Sequence, residues 1–104
     1  MKHVTREADL TATLDPRTLQ LPAEPKVLDI RVEPYVDDLG DAELRVWVVL
    51  DDSTTAEQQS IESEWAITRV IRKALHEAGN RRYTYMRFLT RSQFLQDPGT
   101  QRVR

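Results

Sequence analysis

Cysteine is missing from this chain altogether, and that absence alone removes several kinds of chemistry. Disulfides, thiol nucleophiles and zinc–thiolate sites are excluded, which fits a reducing compartment. Glycine is nearly missing too. Three glycines in 104 residues leave little room for a Gly-rich phosphate-cradling loop. Histidine is equally scarce. His3 and His76 stand alone, with no second ligand or nucleophile at a usable spacing. The serines (Ser53, Ser60, Ser63, Ser92) lack the glycine context of a nucleophile elbow. No apolar run approaches the roughly 20 residues of a membrane-spanning helix. Met1 to Leu10 is threaded with charge and does not read as a secretory signal. From these absences we expect a cytoplasmic protein of bacterial style. We expect it not to be an enzyme, and to have no catalytic residue, metal or cofactor.

What is present is a globular mixture on the polar side, 39% apolar and 31% charged. The length suits one hydrophobic core and not two. The net charge of −2 hides a lopsided distribution. Residues 1–64 carry 6 Lys/Arg and 15 Asp/Glu, whereas residues 65–104 carry 9 and 2. Such asymmetry either cancels within the fold or across a dimer, or it marks a basic face for a partner.

The first 25 residues read as an extended, partly mobile arm. Pro16, Pro22 and Pro25 break any helix there. Val27 to Tyr35 alternates strictly, with Leu28, Ile30 and Val32 on one face and Asp29, Arg31 and Glu33 on the other. Pro34 ends that strand, bulges it or places it at an edge. Asp37 to Asp41 is a turn, with Gly40 available for a positive φ. Ala42 to Leu50 is the second strand, and the short connection makes the pair an antiparallel hairpin.

A helix follows, with Thr54 as N-cap, Glu57 completing a capping box, and Gly79 as the C-terminal stop. Its apolar stripe is Ile61, Trp65, Ile67, Val70, Ile71, Ala74, Leu75 and Ala78. Arg82 to Leu89 is a third strand, pairing in parallel with the first through a right-handed crossover. Ser92 to Leu95 adds one more turn. The fold class is therefore α+β: a three-stranded sheet with one long helix on one face. The domain spans residues 26–96, and residues 97–104 form a frayed tail.

The face away from the helix is the informative surface. Alternation places Arg31, Arg45, Trp47, Val49, Tyr83, Tyr85 and Arg87 there. A bare aromatic sheet face favours association. One reading is a homodimer or partner-protein interface, because Trp, Tyr and Arg are the residue types that anchor interfaces. A second has the N-terminal arm covering the face. A third stacks single-stranded nucleic acid on the rings, with Arg82 and Arg91 flanking the third strand as phosphate contacts. The wider basic set (Arg69, Arg72, Lys73, Arg81, Arg82, Arg87, Arg91) either faces phosphate or pairs with the acidic first half. The acidic clusters Asp37/Asp38/Asp41 and Asp51/Asp52 fall at opposite ends of the second strand and read as solvated turns rather than a cation site.

RVEPYVDDLGDAELRVWVVL, followed by a helix and a strand, resembles the hairpin-plus-helix of ribosome-binding factor A, a KH-type RNA-binding protein, over about half the chain. It lacks that family's N-terminal helix. The same order resembles the small cytoplasmic dimerisation domain of cation-efflux transporters, without its histidine ligands. The first resemblance implies RNA binding and the second dimerisation. No functional residue is carried over from either. The leading expectation is a non-enzymatic interaction module, dimerising or binding a partner protein, and suited in size to a bacterial two-gene system such as a toxin–antitoxin-like pair. Nucleic-acid binding through the same face is the alternative, and an enzyme whose site is shared between subunits is a distant third.

Overall fold

Three runs of alternating residues build a mixed sheet, and one amphipathic helix covers it. The computed structural model describes residues 13–96. His3, the first twelve residues of the arm and the 97–104 tail lie outside the described residues. The elements are β1 (Val27–Val36), β2 (Ala42–Leu50), α1 (Ile61–Glu77), β3 (Tyr83–Thr90) and α2 (Arg91–Gln96). The sheet order is β1-β2-β3, with β1 antiparallel and β3 parallel to β2.

This order corrects one expectation: β3 pairs with β2, not with β1. The reason lies in composition. From Leu44 to Leu50 only Arg45 escapes burial, so β2 is too apolar to stand at an edge. β1 carries Asp29, Arg31, Glu33 and Pro34, residues that suit an edge. The strand runs on through Pro34 to Val36.

The hairpin turn is fixed by one carboxylate. Asp37 Oδ1 accepts from the amides of Leu39 at 2.9 Å and Asp41 at 2.8 Å. Gly40 takes φ +85°, a conformation that side chains with a Cβ rarely adopt. At its other end β1 is irregular between Val27 and Asp29, so Val27 rather than Leu28 lies opposite Leu50. That bulge moves Val27 onto the core face and leaves Leu28 half-buried.

The core lies between the sheet and α1. Ile30, Val32, Leu44, Val46, Val48 and Leu50 meet Ile67, Ile71 and Leu75. Each fully buried aliphatic side chain contributes about 1.5–3 kcal/mol relative to exposure. Leu14 joins this cluster from the arm, and Leu19 and Leu21 pack against it. The described part of the arm therefore lies on the helix side of the sheet.

α1 begins at Ile61, later than expected. Ser60 is its N-cap and accepts from the Ser63 amide at 3.1 Å. The capping pattern expected at Thr54 sits one residue on and serves a separate turn. Thr55 N–H donates to Gln58 Oε1 at 2.9 Å, and Gln58 N–H donates to Thr55 Oγ1 at 3.2 Å. Ile61 and Trp65 are exposed, which shortens the expected stripe. At about 100° per residue, Trp65 lies roughly 120° around the axis from Ile71. Ile61 is the first residue of the helix. The helix ends as expected at Gly79, whose φ is +91°. The Gly79 amide bonds the His76 carbonyl and the Asn80 amide bonds that of Leu75, which is the Schellman pattern.

Candidate functional site

The face away from α1 is the place to look, and it is not bare. α2 folds back over one end of it. The register puts Arg31 opposite Trp47, and Trp47 beside Arg87, on this face. α2 packs on β3 and β2, and its Phe94 ring lies 5.8 Å from the guanidinium carbon of Arg31, which reaches over from β1. Two devices hold this six-residue helix. Thr90 and Gln93 cap it reciprocally, at 2.9 and 3.3 Å. Asp52, from the loop after β2, accepts from the Ser92 amide at 2.9 Å and hydroxyl at 2.7 Å. These bonds, amide first, hold the Asp52 carboxyl below its ordinary range.

The covered end corrects the expected site. Trp47 is only 5% exposed and Val49 only 4%, so Val49 presents almost no surface to a partner and Trp47 only the sliver that lines the neighbouring hollow. Leu89 is buried with them. Trp47 Nε1 has no hydrogen-bond partner among the described residues.

The other end of the face is open. Tyr83 is 60% and Tyr85 52% exposed, and their rings meet edge to face at 4.8 Å. Arg45 lays its guanidinium over the Tyr35 ring at 3.6 Å. Tyr35, Arg45 and Tyr85, with Asp37, Asp38, Glu43, Trp47 and Arg87, border a concavity of about 630 Å³. Glu43 lies nearly buried in its floor, opposite Tyr35 on one side and Tyr83 on the other. Burial, and then the Asp37 carboxylate nearby, raise the Glu43 carboxyl above its ordinary range. The Glu43 charge in turn pushes the Tyr85 hydroxyl up.

Of the expected interface residues, Arg45, Trp47, Tyr85 and Arg87 line this concavity, and Tyr83 stands beside it against Tyr85. Arg31 belongs to the end under Phe94. Arg82 and Arg91 flank the two ends of β3, nine positions or about 30 Å apart at a strand's rise, too far to hold one phosphate between them. Tyr35, Asp37 and Glu43 were not anticipated. The signal for two of them was present: the alternation that places Arg31 and Glu33 on this face, carried past Pro34, places Tyr35, and Glu43 is in phase with Arg45.

The two acidic clusters do sit at opposite ends of β2, and among the described residues no set of His, Asp and Glu is arranged to hold a metal. No described helix is long and apolar enough to cross a membrane. The ion pairs seen among the described residues, Asp15–Arg17 at 2.8 Å and Asp29–Arg31 at 2.6 Å, are both local. They do not join the acidic half of the chain to the basic half. Set against protein-family models, curated proteins and solved structures, the chain matches none of them.

Proposed function

We propose that this chain is a non-enzymatic protein-recognition module, which contacts a second protein chain, its own copy or another, through the open end of the far sheet face. The observation that carries this is the pre-arranged group Tyr35, Arg45 and Tyr85 around an open concavity, with Tyr83 packed edge to face against Tyr85 beside it. Tyrosine and arginine offer large contact area with few rotatable bonds to freeze, and both are typical interface anchors. Here the rings are already held against one another or under a guanidinium, so little ordering remains to be done on binding.

Three carboxylates (Asp37, Asp38 and Glu43) border the same concavity. They repel a phosphate backbone, which weighs against nucleic acid at this face.

The test is sedimentation velocity over a range of concentrations, with a pull-down from the host, on the wild type and the Tyr83→Ala/Tyr85→Ala double variant. Both tyrosines are exposed, so the fold should survive. Concentration-dependent dimerisation, or a partner retained by the wild type and released by the variant, is expected. A wild type that stays monomeric and retains nothing that the variant loses would overturn the reading.

A further inference from the structure

A second concavity lies around the corner, between the end of α1 and the start of β3. Its volume is about 470 Å³, and Arg72, His76, Asn80, Arg81, Arg82 and Tyr83 line it. Three arginines therefore border one hollow, and no carboxylate residue among the described residues lines it. None of the three pairs with a carboxylate among the described residues. We propose that this corner binds a phosphate-class oxyanion, a phosphate monoester or diester group, held by Arg72, Arg81 and Arg82.

Two of the arginines are already oriented. Asn80 is nearly buried, fixed by the glycine turn that ends α1. Its Oδ1 accepts from Arg82 Nε at 3.0 Å, and its Nδ2 donates to the Arg82 carbonyl at 3.2 Å. The Arg82 side chain is thus anchored at Nε, leaving its terminal nitrogens as a fork. From α1, one terminal nitrogen of Arg72 donates to the Thr84 carbonyl at 3.3 Å, and its remaining N–H groups are left for a ligand. Asn80 acts here as a positioning residue.

The chemistry selects the ligand class. A guanidinium fork matches two oxygens of a phosphate, and several forks around one hollow suit a group with three or four oxygens better than a carboxylate with two. Like charges lining one hollow repel each other, and an anion relieves that repulsion. The opposing influence is the C-terminal end of α1, whose carbonyls form its negative pole. The carbonyls of Ala74, Leu75 and His76 are satisfied by the amides of Ala78, Asn80 and Gly79, which blunts that pole.

The experiment is an NMR titration of the full-length ¹⁵N-labelled protein with sodium phosphate and sodium pyrophosphate, against sodium chloride at matched ionic strength. Saturable shifts are expected at the Arg72 and Arg82 Nε–Hε resonances and at the amides from Gly79 to Tyr83. Arg82→Gln should weaken binding by about tenfold, as should Arg72→Gln, which leaves the Asn80 turn untouched. Arg69→Gln, on an exposed position of α1, should leave it unchanged. A short oligothymidylate then separates the sources: shifts at the same resonances assign a nucleic-acid phosphodiester, and their absence a small phosphorylated ligand. Shifts that chloride reproduces, that never saturate, or that persist in both arginine variants would overturn the proposal.

Discussion

Replacing Trp47 by phenylalanine should leave stability almost unchanged, although Trp47 is one of the most enclosed aromatic side chains in the molecule. Trp47 is 5% exposed and its Nε1 has no partner among the described residues. A buried indole removes about 150–250 Å² from water, which at about 25 cal/mol per Å² corresponds to about 4–6 kcal/mol. Trp47→Ala forfeits most of that and should cost about 3–5 kcal/mol. Trp47→Phe keeps the six-membered ring. It loses about 40 Å² of apolar contact, or about 1 kcal/mol. It also opens a void of roughly 40 Å³, which at about 24 cal/mol per Å³ costs about 1 kcal/mol more. Against this stands the removal of an unsatisfied N–H, worth about 1–3 kcal/mol. The sum lies within about 1 kcal/mol of the wild type. The assay is urea unfolding followed by far-ultraviolet circular dichroism, a two-state measurement for a domain of this size. A loss from Trp47→Phe as large as that from Trp47→Ala would refute the reasoning, since it would mean that the indole N–H is hydrogen-bonded in solution. The alanine variant also cannot serve as an interface probe, because it attacks the fold.

Two carboxylates should respond to pH with opposite signs. The Glu43 carboxyl is raised, so its contribution to stability is intact below the unfolded value of about 4.3 and is lost as the pH rises through the folded value. Glu43→Gln should therefore raise the melting temperature at neutral pH and give no gain in acid; a gain that persists in acid would contradict the assignment. The Asp52 carboxyl is lowered, so its contribution is present above about 3.9 and disappears as the pH falls through the folded value. Asp52→Asn should lower the melting temperature and the amide-exchange protection of α2 at neutral pH, and match the wild type in strong acid. Unchanged α2 protection at neutral pH would show that Ser92 does not depend on Asp52.

The strands were legible because their chemistry is periodic. Ile30 and Val32, and Leu44 through Leu50, each announce a face and a length. The stop at Gly79 was legible because only a residue without a Cβ takes that turn easily. Pairing was not legible: whether β3 joins β1 or β2 depends on which strand tolerates an edge, a comparison between strands rather than a pattern within one. The start of α1 slipped because Thr-Thr-x-x-Gln-x-Ser offers several caps in seven residues, and Thr54, Thr55 and Ser60 each cap or brace something. The far face was misjudged at Trp47 and Val49 because its cover is a helix of six residues, too short to leave a periodic signal. Its tether, Asp52 to Ser92, spans forty positions of sequence. Tyr35 was missed because Pro34 suggested that the strand had stopped.

The central place of β2 has a consequence for how the chain is made. Its two neighbours arrive by routes of unequal length. β1 closes onto it across the short 37–41 turn, whereas β3 comes only after α1, some thirty residues later. Loop closure therefore favours the hairpin forming before β3 is added. Until then one whole edge of the most apolar strand stands unpaired, a template for any other extended chain. The hazard belongs to the half-made molecule rather than the finished one. β3 and α2, which leave the ribosome after the hairpin, are the segments that end it.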